Sequence, residues 1–163
     1  MQAIKLMLFI IAVAFFTSTL FAQGVKPPRV QFKEAYRFVQ EGDVLEFPVV
    51  LDKTSNSKIT VKYADYADWG SARDSDSCGD RPRTGGENYN PDYEEPGVSS
   101  RNYKILIFHA GVREQKIRVR TCEDRRVEPN ETVVMRLISA DGATIRVGGY
   151  GYDYSRGTIL NDD

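Results

Sequence analysis

The sequence predicts an all-β protein, an antiparallel immunoglobulin-like β-sandwich of about seven strands with a long loop insertion over residues 65–90. Three observations predict it. Apolar residues beyond position 28 recur with period two, turn-forming residues separate those runs, and no convincing helical stretch follows the N-terminal segment.

Each strand follows from its own alternation. Leu45, Phe47, Val49 and Leu51 alternate with Val44, Glu46, Pro48 and Val50, which gives that strand one apolar face. Ile59, Val61 and Tyr63 repeat the pattern. Leu106 and Phe108, Ile117 and Val119, then Val133, Met135 and Leu137 continue it, and Thr158 with Leu160, or Ile159, closes it. Glu41-Gly42-Asp43, Lys53-Thr54-Ser55-Asn56, Ala110-Gly111, Glu128-Pro129-Asn130 and Asp141-Gly142 supply the turn chemistry between runs.

The chain has 163 residues, of which 41% are hydrophobic and 28% charged, enough for one domain with its own core. Residues 1–22 stand apart. Lys5 precedes an almost unbroken apolar run from Leu6 to Phe16, and small and polar residues lead to Phe21-Ala22-Gln23. That order predicts a secretory signal peptide cut after Ala22. An uncleaved anchor is the competing reading, against which the run is shorter than the ~20 residues a spanning helix needs. The expected organisation is a signal peptide over 1–22, a short segment over 23–28 and a sandwich domain over 29–163. Cleavage would leave 141 of the 163 residues, with no membrane insertion, and a secreted or cell-surface destination. Lys5 is the only charge in the leader, so the 22 Lys+Arg and 23 Asp+Glu of the chain become 21 and 23. A near-neutral balance lacks the basic excess of a nucleic-acid binder and offers no polybasic stretch to anionic lipid.

Cys78 and Cys122 are the two cysteines, 44 positions apart. In an oxidising compartment a single disulfide is the default, and closing such a loop stabilises by roughly 4 kcal/mol. Two free thiols are the alternative. Four-ligand zinc is implausible with two cysteines and only His109.

Two segments break the strand rhythm. Asp65 to Asn90 is rich in Asp, Ser, Gly, Arg and Asn and has almost nothing to bury, so it reads as an insertion rather than a strand. Trp69 and Tyr89 would be its aromatic contacts with a partner or glycan, although Trp69 can equally finish a strand and pack on the core edge. Gly148-Gly149-Tyr150-Gly151-Tyr152-Asp153-Tyr154 sets three tyrosines among glycines, either as a recognition patch or as ordinary strand residues at an edge.

The carboxylates concentrate in Arg120-Thr121-Cys122-Glu123-Asp124-Arg125-Arg126-Val127-Glu128-Pro129-Asn130-Glu131. Calcium takes six to eight oxygen ligands from converging segments. This turn offers up to four carboxylates, and Glu41, Asp92, Asp162 and Asp163 can reach the same end of a sandwich.

The order Glu41-Gly42, Pro91-Asp92-Tyr93, Phe108-His109-Ala110-Gly111, Glu123-Asp124 to Glu128 and Glu131, then Gly157-Thr158-Ile159-Leu160-Asn161-Asp162-Asp163 resembles the Calx-beta family over residues 29–163. That resemblance implies a β-sandwich of the kind found in sodium/calcium exchangers, adhesion and matrix proteins, several of which bind calcium at one end. It implies Glu41, Asp92, Glu123, Asp124, Glu128, Glu131, Asp162 and Asp163 as ligands for one or two calcium ions, in a module for adhesion, cell communication or protein interaction. Two positions depart from the family pattern: Arg125 stands in its acidic triplet, and Asn161 begins its terminal acidic run. The competing reading has Arg125, Arg126, Arg73, Arg81 and Arg83 neutralise the carboxylates as salt bridges. A disulfide from Cys122 to Cys78 would pin the insertion beside the acidic end.

The other function classes have thinner support. His109 reads as a surface turn residue, and although Ser99 or Ser100 could complete a triad, nothing resembles a nucleophile elbow. Paired carboxylates could serve glycoside hydrolysis, but a cation explains their number better. Asn130-Glu131-Thr132 is a glycosylation sequon that sits awkwardly on a candidate ligand. The expectation is a non-enzyme whose partner is an extracellular protein or glycan. The alternative is a calcium-independent carbohydrate- or protein-recognition sandwich using residues 65–90 and 148–154.

Overall fold

A computed structural model describes residues 26–66, 70–72, 74–75, 78, 91–94, 103–123 and 125–162. The predicted signal peptide, Trp69, Tyr89, Asp124, Asp163, Arg73, Arg81, Arg83, Ser99 and Ser100 lie outside the described residues. Eleven strands and no helix occur among the described residues. They are β1 Arg29–Phe32, β2 Tyr36–Gln40, β3 Val44–Leu51, β4 Ile59–Asp65, β5 Asp74–Ser75, β6 Tyr93–Glu94, β7 Lys104–Phe108, β8 Glu114–Arg120, β9 Glu131–Asp141, β10 Thr144–Ile145 and β11 Tyr154–Leu160.

The period-two alternation becomes two facing sheets, one in the order β10-β1-β3-β8 and the other β2-β11-β9-β4-β7. Phe32, Leu45, Phe47, Val49, Ile59, Val61, Phe108, Ile117, Val119, Met135 and Ile159 fill the space between them. Of the two registers open for the last strand, Ile159 points inward, together with Ser155 and Gly157. Gly157 lets the sheets approach here, because a Cβ would stand 2.9 Å from Leu45 Cδ1 and from Phe47 Cζ of the opposite sheet and force them to shift.

The predicted insertion needs two corrections. Asp65 belongs to β4, and the Tyr66 amide still donates to the Val134 carbonyl at 2.7 Å, so sheet pairing runs into the segment read as loop. Further on, Asp74–Ser75 pairs in parallel with Tyr93–Glu94. A two-residue strand has too little alternation to read from sequence. β1, β2 and β10 add to the strands whose alternation is legible. Between β4 and β9 the register shifts at Lys62/Tyr63, leaving Ile138 between the pairs Lys62–Ser139 and Tyr63–Leu137 as a bulge.

Strand directions decide which loops meet. β11 runs parallel to β2 and antiparallel to β9, so Leu160, Gln40 and Glu131 share one end. Val44 pairs with Arg120, which brings the Glu41-Gly42-Asp43 turn and the chain after β8 to that end too. Residues 148–153 lead into β11 from the opposite end.

Candidate metal centre

Backbone hydrogen bonds assemble the acidic end. The Thr121 amide donates to the Asp43 carbonyl at 3.0 Å and its hydroxyl to the same oxygen at 2.7 Å, tying the β8 exit to the β2–β3 turn. Glu41 N donates to Leu160 O at 3.2 Å, which adds the end of β11. Tyr93 bridges Thr121, and Cys122 N donates to Asp92 O at 2.9 Å. The Cys78–Cys122 disulfide closes this assembly, resolving the choice between bonded and free thiols.

On that frame, carboxylate oxygens of Asp92, Glu128 and Glu131 lie within 4.8 Å of one another. Asp92 is only 7% exposed, whereas Glu128 and Glu131 are half-buried. Calcium–oxygen bonds of 2.3–2.6 Å place ligands on opposite sides of an ion about 5 Å apart, so all three oxygens fit around one ion. Two bare unit charges at that separation repel by about 3 kcal/mol at an effective dielectric of about 20, before solvent and neighbouring cations such as Arg126 screen them. The donor set is all oxygen and all hard, which suits calcium rather than a thiolate- or imidazole-seeking metal.

The remaining predicted ligands at this end are distributed around the triad. Glu41 is half-buried in the β2–β3 turn, with Oε2 shielded from solvent. Glu123 is exposed, and its carboxylate packs against Gly42, where an added Cβ would make it move aside. Gly42 also has φ of 77°, a backbone region that favours glycine. Asp162 is exposed just past β11. Beside Glu123, a concavity of about 300 Å³ opens between Gly42, Pro91, Arg120 and the disulfide.

Two of the five arginines of the competing reading, Arg125 and Arg126, are among the described residues. Arg126 Nη1 approaches Glu128 Oε1 at 3.8 Å, the outer limit of an ion pair, and Arg125 is exposed. Asn161 acts as a clamp: its Nδ2 donates to the Arg126 carbonyl at 2.7 Å and its amide to Asn130 Oδ1 at 3.2 Å. It thereby holds the segment that carries Glu128. The bond to Asn130, the exposed asparagine of the sequon, engages its Oδ1 and not the Nδ2 that a glycan would take.

Sequence reasoning missed Thr121 and Glu94. Glu94 Oε1 accepts the Cys78 amide at 3.1 Å and sits 3.4 Å from Arg120 Nη1, bracing the disulfide from the insertion side. Its only signal was its position two residues after Asp92. His109 is exposed in the β7–β8 turn, where its carbonyl accepts the Val112 amide at 3.0 Å.

The tyrosine-rich stretch lies away from the acidic end. Tyr150 stacks on Tyr36 with centroids 5.6 Å apart, and Tyr152 lies under the Arg146 guanidinium at 4.4 Å. Tyr154 opens β11, paired with Arg136 of β9 on one side and bridged to Tyr150 on the other, while the ladder to β2 starts at Arg156. Asp153 is buried and accepts the Gly148 and Gly149 amides at 3.0 and 2.9 Å, which fixes the loop.

An all-β sandwich with an oxygen-rich acidic end is the class of protein these features define. Compared with protein-family models the chain gives no match, and neither does it match any curated protein. Solved structures do match. The apo-form Calx CBD1 domain aligns with 85% of this chain and 100% of its own length, at 21% identity and a TM-score of 0.58. The CBD12 structure from CALX1.2 aligns with 83% of this chain at 23% identity and a TM-score of 0.60. The calcium binding domain CBD12 of CALX1.1 gives 83%, 23% and 0.56. This chain spans 45% and 46% of those two CBD12 chains. The fold is therefore Calx-beta-like, as the resemblance in the sequence implies.

Proposed function

We propose that this chain is a calcium-binding, non-enzymatic β-sandwich module that holds one or two ions at its acidic end. The observation that carries the proposal is the convergence of Asp92 with Glu128 and Glu131 to within 4.8 Å on a Calx-like scaffold. Glu41, Glu123 and Asp162, with Asp124 and Asp163 from the sequence, would supply further oxygens. Bound calcium would replace carboxylate repulsion with shared coordination and stiffen that end of the sandwich. Extracellular modules bind calcium with Kd of roughly 10⁻⁴ to 10⁻³ M, so a constant structural role suits a site of this kind.

A secreted or cell-surface location is supported by the N-terminal signal pattern and by the disulfide. Adhesion, cell communication or protein interaction is the role that such a location and a non-catalytic sandwich support.

The test is calorimetric calcium titration of the protein from Gln23 onward, with melting followed in excess chelator and in calcium. Heat of binding with a raised melting temperature supports the proposal. Neither heat nor a shift up to ~10 mM calcium, beyond the range of such modules, overturns it.

A further inference from the structure

Several cations elsewhere on the molecule are matched with carboxylates: Lys33 with Glu114, Arg37 with Glu34, Lys116 and Arg118 with Glu46, Arg120 with Glu94, and Arg126 with Glu128, while Arg113 bonds backbone carbonyls and Arg146 bonds Gln31 and lies over Tyr152. The outward face of the β2-β11-β9-β4-β7 sheet is different. Lys62, Arg136 and Arg156 stand there on three neighbouring strands, and among the described residues none of them meets a carboxylate. Each is laid on tyrosine instead. Arg156 lies 5.1 Å from the Tyr150 ring, Arg136 lies 5.2 Å from Tyr154 and 5.7 Å from Tyr66, and Lys62 lies 4.3 Å from Tyr103.

The registers make these cations a stripe. Arg156 pairs with Val134, and Arg136 pairs with Tyr154 and Ala64. Each cation is thus a diagonal neighbour of the next, at about 7–8 Å between backbones. The Nε of both arginines is shielded from solvent with no acceptor, while Arg156 Nη2 donates to the Tyr150 hydroxyl at 2.9 Å. The guanidinium planes are therefore held against the rings rather than free to swing toward a distant acid. The outward positions of β2, β11 and the Thr132–Arg136 part of β9 contain no Asp or Glu, and Asp141 stands only at the far end of β9, beside Thr60. Three like charges in a row without counter-charge repel one another, and an external oxyanion would relieve that repulsion.

Beside the stripe, Tyr36 is 56% and Phe38 68% exposed, both on the outward side of β2. Flat exposed rings next to fixed guanidinium groups match a ligand that alternates apolar ring faces with carboxylate or sulfate. We infer that this face binds an acidic polysaccharide, with its oxyanions on Arg136, Arg156 and Lys62 and its sugar faces on Tyr36 and Phe38. An acidic peptide is less well matched, because β4, β9 and β11 are paired on both sides, and a peptide added to the outer edge of β2 would lie beside Tyr36 and Phe38 rather than across Arg136 and Lys62. The inference stands independently of calcium at the other end of the sandwich.

The experiment measures binding of the purified protein to heparin and to polygalacturonate in excess chelator, with neutral dextran and poly-glutamate as comparisons. Saturable binding to one or both acidic polysaccharides is expected, the heparin arm reporting a sulfate preference and the polygalacturonate arm a carboxylate preference. R156Q and K62Q should each weaken it by about tenfold, as for loss of one charge-assisted hydrogen bond. F38A should weaken it without changing its salt dependence, whereas R118Q, on the opposite sheet, should leave it unchanged. Melting curves establish that each variant is folded, and K62Q, on a half-buried lysine whose ammonium lies over Tyr103, serves if R156Q is not. Absence of saturable binding at low salt overturns the inference, as does binding indifferent to both R156Q and K62Q. Poly-glutamate binding as tightly as either polysaccharide reassigns the face to acidic peptides and overturns it too.

Discussion

Glu131→Gln should change stability differently with and without calcium. In chelator, Glu131 repels both Asp92 and Glu128 from within 4.8 Å. The effective-dielectric figure of about 3 kcal/mol per pair must be discounted, because Glu128 and Glu131 are only half-buried and Arg126 lies 3.8 Å from Glu128. Neutralising Glu131 should then stabilise by about 1–2 kcal/mol, or about 3–6 °C for a domain of this size. With calcium at about 100 times Kd, the wild-type protein should gain about 2.7 kcal/mol, near 8 °C. A tenfold weaker site in E131Q would gain only about 1.4 kcal/mol, near 4 °C. Differential scanning fluorimetry in chelator and in 10 mM calcium measures both numbers on the same samples. A variant that melts lower in chelator and keeps the full calcium-induced rise would refute the reasoning. It would make Glu131 a structural partner and place the ion elsewhere.

Gly157→Ala should lower stability by about 1–3 kcal/mol through overpacking against Leu45 and Phe47, read by urea denaturation, with calcium affinity unchanged. The double variant C78S/C122S should lose about 4 kcal/mol and bind calcium more weakly, because the disulfide anchors the Cys122 backbone whose amide donates to the Asp92 carbonyl; calorimetry on folded protein checks the affinity. The carboxyl of Glu46 titrates below the usual range, chiefly because Lys116 and then Arg118 donate hydrogen bonds to it. A folded pKa below the unfolded one gives stability that is present above the unfolded value of 4.5 and lost as pH falls through the folded value. Acid denaturation of E46Q should therefore show a shallower loss below about pH 4.5 than the wild-type protein. Burial raises the Tyr63 phenol above its ordinary value of 10.0, so stability should fall as pH rises past that point, and Y63F should remove that alkaline loss.

The strands with four or more alternating residues were legible because side-chain period is local: the apolar set Leu45, Phe47, Val49 and Leu51 faces one way whatever lies across from it. Asp74–Ser75 and Tyr93–Glu94 were not legible, since each has two residues and exists only through its partner. The acidic turn after β8 was likewise visible as composition, and the cysteine pair as the default for the oxidising compartment that the N-terminal segment predicts. What could not be read was which of eight carboxylates share a space. Asp92 is distant in sequence from Glu128 and Glu131, and it arrives through a bridge to Thr121 and an amide bond from Cys122.

The tyrosines show the same division. Their clustering at 150–154 is a sequence fact, yet the cations that lie on them come from β9 and from further along β11. By itself, then, the sequence determined an alternating all-β chain, its turns and a local excess of carboxylate, because those depend on neighbours one to four positions away. Tertiary structure alone decided the meeting of Asp92, Glu128 and Glu131 and the stripe of Lys62, Arg136 and Arg156. Both depend on strand order, direction and register, including one bulge at Ile138, and register is set by packing the whole core at once.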